Sequence, residues 1–349
     1  MASLNFDSED ISLFRNKINA AKHIAILSHT NPDGDCVGSL LAMQEVLVRH
    51  CGKRHSNVSA VLPNACPDNF KYLKGSELII NADTQLQQAE ATLLTADLIL
   101  CLDFNSASRA EKLQKALEDS AAFKVLVDHH ELPDRNAFQL LFAVPHLSST
   151  CELLYWLLQE AFGNNALNDS SAQCLYNGIC TDTGTFSYSN ENASLYEAAA
   201  GLMRYNVHAA EVHNQIANSL SVASFRFRAH CMNDCIHICE EDGYAYFFLT
   251  LEDKQHYGVK NSDAEGLVNE TLTMQNIEVG LLFREEPDDV VRVSLRSKHY
   301  FDVNAFARQY LGGGGHVKAA GATIHGKFWD TIESVVSLLH QELKKNDRP

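Results

Sequence analysis

The chain has 349 residues, of which 46% are hydrophobic and 21% charged, and this balance excludes a disordered or fibrous protein. A chain of this length usually forms two domains. Its formal net charge of −16 argues against a broad basic groove for long duplex DNA or RNA. Small anionic substrates remain compatible with it, because bound divalent metals would reverse the local field.

The sequence shows no targeting segment. Its first ten residues are polar and contain no apolar stretch of signal-peptide length. No window approaches the run of about 18 apolar residues that a spanning helix needs. We therefore expect a soluble, cytoplasmic protein without a membrane partner.

The chain contains ten cysteines. They fall within predicted strands and helices without a secretory signal, so we predict reduced and mostly buried thiols. Cys231, Cys235 and Cys239 recur every four residues, with His237 among them, which raises the question of zinc. Zinc knuckles usually add a second cysteine pair further along the chain. Because no such pair follows, we favour core packing for these thiols.

Residues 1 to about 190 alternate short apolar runs with helical patterns, which predicts a parallel sheet with helices on both faces. The predicted strands are 24–28, 58–62, 97–103 and 123–128, with 139–144 as a further candidate. The predicted helices are 10–21, 37–51, 107–117, 149–162 and 170–179. In open sheets of this kind, ligands bind outside the carboxyl ends of the strands.

The remainder of the chain has a different pattern. A polar, helical stretch is followed by a predicted hairpin, 236–240 with 244–250, whose turn contains the strong signal Asp242-Gly243. A second hairpin is predicted to join 277–284 to 290–297. The final predicted elements are a helix at 302–310, a glycine run, a strand at 321–325 and a helix at 328–344.

These patterns predict an α/β protein of two domains. A parallel-sheet domain with helices on both faces would occupy 1–190, and a helical linker would occupy 191–222. A smaller α/β domain with a mixed sheet would occupy 223–349.

Four clusters of acidic residues or histidines each follow a segment that resembles a strand. They are His29-Thr30-Asn31-Pro32-Asp33-Gly34-Asp35, then Asp103, then Asp128-His129-His130, and finally Asp182 after 176–180. Alone, Asp103 and Asp182 would be ordinary helix caps. Because the carboxyl ends of parallel strands meet at one edge of a sheet, the set predicts one site that holds more than one hard cation.

The first cluster is the most informative one. Gly34 would let the backbone bend so that Asp33 and Asp35 face one cavity, and His29 would add an imidazole. A helix N-cap at Asp35 is the alternative interpretation, but it leaves His29 and Asp33 unexplained.

Two adjacent histidines, His129 and His130, point in different directions on a loop. At most one usually binds the same metal as its neighbours, so the other is available to substrate as a donor or general acid. Aspartate and histidine ligands without cysteine suit manganese, with magnesium, cobalt or zinc as alternatives. Two such ions, about 3.5–4 Å apart, would clamp both oxygens of an in-line displacement. The sequence therefore predicts cleavage of phosphate esters.

A second constellation is Gly312-Gly313-Gly314-Gly315-His316. Consecutive glycines can expose backbone N–H groups that cradle an anion, and His316 would supply a further donor. Arg296, in the same predicted domain, offers a planar fork for phosphate or a base. A flexible turn is the alternative interpretation, and we favour an anion clamp.

Together these motifs resemble the DHH phosphoesterase family, in the branch whose associated C-terminal domain carries a G-G-G-H motif. The resemblance covers nearly the whole chain and implies two manganese ions. The first would be held by His29, Asp33, Asp103 and Asp182. The second would be held by Asp35, Asp103, His129 and Asp182, so that Asp103 and Asp182 are shared.

The resemblance also implies roles in substrate binding and catalysis. His130 would contact the scissile phosphate and could protonate the leaving oxygen, and Asp128 would orient a histidine. Arg109 is a weaker candidate for contacting the phosphate of the substrate. The safer interpretation is that it is a solvated residue on a helix. The far end of the substrate would be held by Arg296, Gly314, Gly315 and His316.

The implied reaction is hydrolysis of short oligoribonucleotides to nucleoside monophosphates and of 3′-phosphoadenosine 5′-phosphate to AMP, with the linear dinucleotide pApA as a further candidate. Alternatives are an exopolyphosphatase, a RecJ-like single-strand exonuclease and, more remotely, a noncatalytic nucleotide-binding protein. The sequence leaves open the physiological substrate, the cleavage polarity, the metal used in the cell and the division of roles between His129 and His130. Analogy with the family suggests a homodimer.

Overall fold

A computed structural model describes residues 4, 6–187, 191–217, 220–264 and 266–345. The chain divides into two compact units between residues 219 and 220. The predicted boundary at 190 and residues 218–219 of the predicted linker lie outside the described residues. Our domain boundaries therefore stay predictions.

Among the described residues of the first unit, six strands form one parallel sheet in the order β3-β2-β1-β4-β5-β6. They are β1 Ile24–Leu27, β2 Val58–Leu62, β3 Ile80–Asn81, β4 Leu98–Leu102, β5 Phe123–Asp128 and β6 Leu140–Ala143. The order reverses between β1 and β4, and such a switch point is where doubly wound sheets bind ligands. The predicted parallel sheet is confirmed.

Helices cover both faces of this sheet. They are α1 Ser8–Ala20, α2 Gly34–Arg49, α3 Ala82–Thr95, α4 Gln114–Asp119, α5 Thr150–Phe162, α6 Asp169–Asp182, α7 Ala193–Leu202 and α8 Ala209–Ala217, with 3-10 turns at His55–Asn57, Asp68–Phe70, Ser76–Leu78 and Ala107–Leu113. Alternate strand residues point to opposite faces. Ile26 accordingly packs in the core under α1, α2, α5 and α6, whereas Leu27 packs in the core under α3 and α4.

The sequence missed two elements of the first unit, and it placed Asp182 in the wrong kind of element. β3 is only two residues long, and α3 is too polar to give a strong helical pattern. Residues 176–180 belong to α6, which confirms our predicted helix at 170–179, so Asp182 is the last residue of that helix and does not follow a strand. The prediction of four strand ends is therefore wrong for Asp182, although the residue still reaches the same edge of the sheet.

The region predicted as a linker contains two helices, α7 and α8, within the first unit. Both pack against α6, and α7 also packs against α5. Their buried residues include Leu195 and Val212. This region therefore contributes to the core of the first unit.

In the described part of the second unit, strands form a mixed sheet in the order β11-β12-β10-β9-β8-β7. They are β7 Ile236–Cys239, β8 Tyr244–Leu249, β9 Val279–Glu286, β10 Val290–Ser297, β11 Gly314–His316 and β12 Ala319–His325. Both predicted hairpins are confirmed as antiparallel pairs. Only β8 and β9 run parallel within this described sheet, which makes it mixed as predicted.

The helical elements of the second unit pack on this sheet. They are α9 Val222–Asp234, α10 Leu251–Tyr257, α11 Leu267–Thr271, α12 Val303–Phe306, a π-helical turn at Ala307–Leu311 and α13 Phe328–Lys345, with a 3-10 turn at Asn261–Ala264. Across the described ranges of both units, no helix has the length and apolar character needed to cross a bilayer.

Candidate metal centre

The segment after β1 places two possible ligands beside the switch point. Asp33 is the N-cap of α2, because its Oδ1 accepts hydrogen bonds from the Asp35 and Cys36 amides over 3.1 and 3.0 Å. The cap is therefore Asp33, and our alternative of a cap at Asp35 is wrong. Its second oxygen, Oδ2, lies 3.8 Å from His29 Nε2. One carboxylate thus begins the helix and also faces the site.

His29 presents a fixed nitrogen to the carboxylates. Its Nδ1 donates to the Thr30 carbonyl oxygen over 2.7 Å, so Nε2 carries the lone pair that a cation could use. Nε2 lies 3.3 Å from Asp103 Oδ2. The ligand atoms of His29, Asp33 and Asp103 all lie within 4.8 Å of one another.

His129 forms a second group on the other side of Asp103. Its Nε2 lies 3.4 Å from Asp182 Oδ2, 3.7 Å from Asp103 Oδ1 and 4.0 Å from Asp35 Oδ2. Its Nδ1 donates to the Leu147 carbonyl oxygen over 3.3 Å, which again directs Nε2 into the site.

Asp103 belongs to both groups, with Oδ2 towards His29 and Oδ1 towards His129. The residue follows β4 with a φ of 64°, a left-handed conformation that Asp and Asn adopt more readily than most residues. A carboxylate between two ligand groups can bridge two cations. Asp182 contacts the second group through His129, and its assignment to both ions stays a prediction.

The charges of this cluster fit a cation site. Burial raises the pKa of Asp35 to about 6, and the neighbouring charge of Asp33 adds to that rise. Burial, together with the charges of Asp35 and Asp33, also raises the pKa of Asp103 and of Asp182, although the Asp182 side chain is only partly covered. Divalent cations would neutralise this excess of negative charge.

The imidazoles complete a donor set for hard cations. Burial lowers the pKa of His29 and lowers that of His129 to about 4, so both rings are neutral at physiological pH. Neutral imidazole nitrogens and carboxylate oxygens are the ligands that manganese and zinc accept. The residues present therefore fit a pair of divalent cations.

Backbone amides at the start of α5 hold Asp35, and the sequence missed them. Thr150 N and Cys151 N donate to Oδ2 and Oδ1 of Asp35 over 2.7 and 2.8 Å. The Thr150 hydroxyl donates to Asp103 Oδ1 over 2.9 Å. A helix N-terminus favours negative charge because its amides are unpaired and its dipole is positive there. The available signal was Ser149-Thr150 before an apolar helix.

Glycines let α2 and α6 approach closely. A Cβ on Gly34 would lie 2.3 Å from Thr181 Cγ2, and one on Gly178 would lie 2.3 Å from Cys151 Sγ and 2.8 Å from Asp35 Oδ1. We expected Gly34 to bend the backbone, but its φ is not positive and its role is close packing. This contact brings the start of α2 beside the end of α6.

His130 is hydrogen-bonded to Asp128, the contact through which Asp128 would orient it. The His130 Nδ1 donates to Asp128 Oδ1 over 2.7 Å, and Asp128 is fully buried. The rings of His129 and His130 meet edge to face, 4.8 Å apart at 67°, so they point in different directions. The His130 side chain keeps 23% of its surface exposed, which leaves it accessible to a substrate.

Arg109 is an exposed residue close to this centre. Its carbonyl oxygen accepts a hydrogen bond from Thr30 N over 2.9 Å. Burial is the main cause of the lowered pKa of His29; the positive charge of Arg109 lowers that pKa further, whereas the negative charge of Asp33 raises it. It lies in the 3-10 turn, where we had predicted part of a longer helix.

Within the second unit, the sheet brings Arg296 and His316 to the same register. Arg296 of β10 and His316 of β11 both pair with Ala319 of β12. Directly paired residues point to the same face of a sheet, so the two side chains flank the small Ala319. The Arg296 Nη1 donates to the Leu295 carbonyl oxygen over 2.9 Å.

The glycine run is more ordered than we predicted. Gly315 N donates to Asn304 Oδ1 over 3.0 Å, and Gly313 N donates to the Ala307 carbonyl oxygen over 3.0 Å. The Gly312 amide is also bonded to Ala307. These amides are not available to an anion, so the predicted cradle of four exposed N–H groups is wrong.

The glycines serve the packing of the hairpin formed by β11 and β12. A Cβ on Gly313 would lie 2.1 Å from the Gly321 carbonyl oxygen. A Cβ on Gly315, whose φ is 153°, would lie 2.4 Å from the Ala319 carbonyl oxygen. Substrate binding by Gly314 and Gly315 stays a prediction.

Models of two protein families match the chain. The N-terminal domain of the DHH family matches residues 23–179, which include every ligand candidate except Asp182. The DHHA1 domain matches residues 241–345, which include Arg296 and the glycine run.

Several known proteins are similar to this chain over most of its length. A bifunctional oligoribonuclease and PAP phosphatase NrnA of Bacillus subtilis is 27% identical over 330 residues, which cover 93% of this chain and 96% of that protein. The protein of the same name from Mycoplasma genitalium is 28% identical over 325 residues and covers 92% and 94%. A crystal structure of an exopolyphosphatase-related protein from Bacteroides fragilis matches with a TM-score of 0.89 at 28% identity and covers 99% and 98%.

Proposed function

The chain belongs to the DHH family of phosphoesterases and carries a DHHA1 domain, and from this premise we propose that it hydrolyses short oligoribonucleotides and 3′-phosphoadenosine 5′-phosphate with two manganese ions. Linear pApA is a further substrate of the same chemical class. The observation that carries the proposal is the position of Asp103, whose two oxygens face two separate histidine-containing groups.

The two cations would be held by the residues around Asp103. His29 and Asp33 would hold one, Asp35 and His129 the other, with Asp103 and Asp182 shared. When bound, they would activate water and neutralise the charge that develops on the phosphoryl oxygens. Asp35 is fixed by the amides of α5, so its position does not depend on a flexible loop.

The protein's own acid would be His130. Its Nδ1 is bonded to Asp128, which leaves Nε2 on the far side of the ring for the leaving oxygen. A buried carboxylate bonded to one nitrogen fixes the tautomer and orientation of the ring. In our proposal His130 donates a proton to the leaving oxygen, and Asp128 positions its ring.

Several observations support small nucleotides as substrates. The NrnA proteins to which the chain is similar are named for oligoribonucleotides and PAP. Arg296 and His316, on one face of the second sheet, would bind a phosphate or base of the substrate. The net charge of −16 would disfavour long polyanions.

A second candidate substrate is inorganic polyphosphate. The Bacteroides fragilis structure that this chain resembles is that of an exopolyphosphatase-related protein, and the same cations could act on a phosphoanhydride. A base-binding role for Arg296 and His316 would favour the nucleotides, because polyphosphate has no base.

The test is a competition assay on purified protein with manganese. An equimolar mixture of a labelled RNA trimer, 3′-phosphoadenosine 5′-phosphate, pyrophosphate and a short polyphosphate is incubated, and the loss of each compound is followed. The blank is the double variant Asp128→Ala/His129→Ala. The matched control is His146→Ala, an exposed histidine outside the centre.

We expect the RNA trimer and 3′-phosphoadenosine 5′-phosphate to disappear with wild-type protein and with His146→Ala, but not with the blank. Loss of polyphosphate or pyrophosphate alone would contradict the proposal and indicate inorganic phosphate chemistry. Equal loss in the blank would show that the centre around Asp103 is not the active site.

A further inference from the structure

The second unit contains a cluster of metal-binding side chains between α9 and α10. His230 Nε2 lies 3.2 Å from Cys235 Sγ and 3.2 Å from Asp253 Oδ1. The ligand atoms of these residues all lie within 4.8 Å of one another. A thiol, an imidazole and a carboxylate therefore converge on one point, and neither family match explains why.

The sulfur at this point belongs to Cys235. Cys235 is a free thiol with 3% of its surface exposed, and a thiol binds metals as its thiolate. Cys231, one helical turn before it, is also a buried free thiol, but the converging ligand atoms are those of His230, Cys235 and Asp253.

The imidazole of His230 is held in place from the side opposite the cluster. Its Nδ1 bonds Asp234 Oδ2 over 2.8 Å, and its ring stacks on Tyr257 with centroids 5.2 Å apart. Histidines that bind metals generally have such a carboxylate partner on the second nitrogen, which fixes the ring and raises its basicity. Nε2 is thereby directed at Cys235 and Asp253.

Asp253 is likewise fixed by its other oxygen. Its Oδ2 accepts hydrogen bonds from the Thr250 amide and hydroxyl, over 3.1 and 2.6 Å, in the capping box of α10. Oδ1 remains directed at His230. The side chains of His230 and Asp253 keep 23% and 22% of their surface exposed, so an ion could enter from solvent.

We propose that Cys235, His230 and Asp253 form a zinc site that joins α9 to α10. One sulfur, one imidazole nitrogen and one carboxylate oxygen are ligand atoms that zinc accepts, and a water molecule would complete its four-coordinate shell. The thiolate distinguishes this site from the centre around Asp103, whose oxygen and nitrogen donors suit harder cations.

The cysteine spacing alone suggested other ligands. Cys239 instead bonds Asp242 Oδ2 over 3.3 Å, and His237 stacks on Tyr246, so neither belongs to the site. The sequence favoured core packing because it showed no second cysteine pair. The other ligands are Asp253, on the next helix, and His230, five residues before Cys235.

Cobalt provides a direct probe. The full-length protein is stripped of metal, reduced with a phosphine that does not bind metals, and titrated with Co²⁺. Thiolate ligands give a sulfur-to-cobalt charge-transfer band in the near ultraviolet and strong visible bands of tetrahedral cobalt. The centre around Asp103 has no sulfur ligand, so cobalt bound there gives no such charge-transfer band.

We expect the titration with Co²⁺ to produce the charge-transfer band, whose intensity should correspond to one sulfur-bound cobalt per chain, and an excess of Zn²⁺ to abolish it. The band should be lost in Cys235→Ser and kept in Cys239→Ser, a matched cysteine in the same unit. His230→Gln should weaken the visible tetrahedral bands. Asp234→Asn, which removes only the support of His230, should lower the cobalt affinity about 10–100-fold.

Thermal unfolding separates a binding defect from a folding defect. Zinc can also bind the centre around Asp103, which is intact in every variant. Zinc should therefore raise the unfolding temperature of wild-type protein and Cys239→Ser by more than that of folded Cys235→Ser or His230→Gln. Absence of the charge-transfer band in reduced wild-type protein would overturn the proposal, as would its persistence in Cys235→Ser.

Discussion

Replacing Asp103 with Asn should separate stability from function in this protein. The variant keeps the local geometry, because Asn tolerates the left-handed backbone of residue 103, whose φ is 64°. The amide oxygen of Asn at position 103 can still accept a hydrogen bond from the Thr150 hydroxyl. Its amide nitrogen can donate to His29 Nε2, which lies 3.3 Å from Asp103 Oδ2. The substitution therefore removes one negative charge without removing a hydrogen bond.

The size of the effect follows from the carboxylate next to it. The pKa of Asp35 is raised from 3.8 to about 6, which corresponds to about 3 kcal/mol of stability lost when this group is ionised in metal-free protein. Because the folded-state value is raised, that stability is present below about pH 4 and is lost as the pH rises through about 6. Asp103 is destabilised in the same way, because burial and the charges of Asp35 and Asp33 raise its own pKa. Asp103→Asn removes this ionised group, so we expect a gain of about 1–3 kcal/mol near neutral pH.

Thermal unfolding of chelator-treated protein is the assay. A unit of this size gains about 2–4 °C per kcal/mol, so Asp103→Asn should unfold about 2–12 °C higher than wild type at about pH 7.5. The difference should disappear below about pH 4. Manganese should then raise the unfolding temperature of wild type and not of the variant. A variant that is less stable without metal, or that manganese stabilises equally, would refute the charge argument.

Three further changes test the same centre. His130→Ala should lower the rate of nucleotide hydrolysis about 10²–10⁴-fold with unchanged manganese binding, whereas His146→Ala should keep the wild-type rate. Loss of manganese binding in His130→Ala would instead show that His130 is a metal ligand. Thr150→Val removes the hydroxyl bonded to Asp103, so manganese affinity measured by calorimetry should fall about 10–100-fold. An unchanged affinity would show that this hydrogen bond does not help Asp103 to bind manganese. Gly178→Ala places a methyl group 2.3 Å from Cys151 Sγ, so chemical denaturation should show about 1–3 kcal/mol of lost stability, and a neutral effect would show that this contact can relax.

The sequence could predict those metal ligands that follow the carboxyl ends of parallel strands, because these ends meet at one edge of the sheet. His29, Asp103 and His129 follow the ends of parallel strands, and the sheet brings them together. Asp182 was expected to follow a strand as well, but a helix carries it to the same edge. A buried helix segment such as 176–180 cannot be distinguished from a buried strand by its apolar run alone.

The contacts that position the ligands were not predicted. The amides of Thr150 and Cys151 hold Asp35, and the available signal, Ser149-Thr150 before an apolar helix, indicates a helix start but not what its amides bind. The predicted anion cradle in the glycine run was wrong for a related reason. Glycine indicates conformational freedom or a close approach, and at Gly313 and Gly315 the close approach is to the chain itself.

We propose that two cations around Asp103 carry out the hydrolysis of short nucleotides. The most direct test is the rate of nucleoside monophosphate release from a labelled RNA trimer as metal-free protein is titrated with manganese. We predict that the rate rises steeply with the second equivalent per chain, saturates there, and stays at background in Asp103→Asn. Full activity at one equivalent, or activity that survives in Asp103→Asn, would contradict the claim.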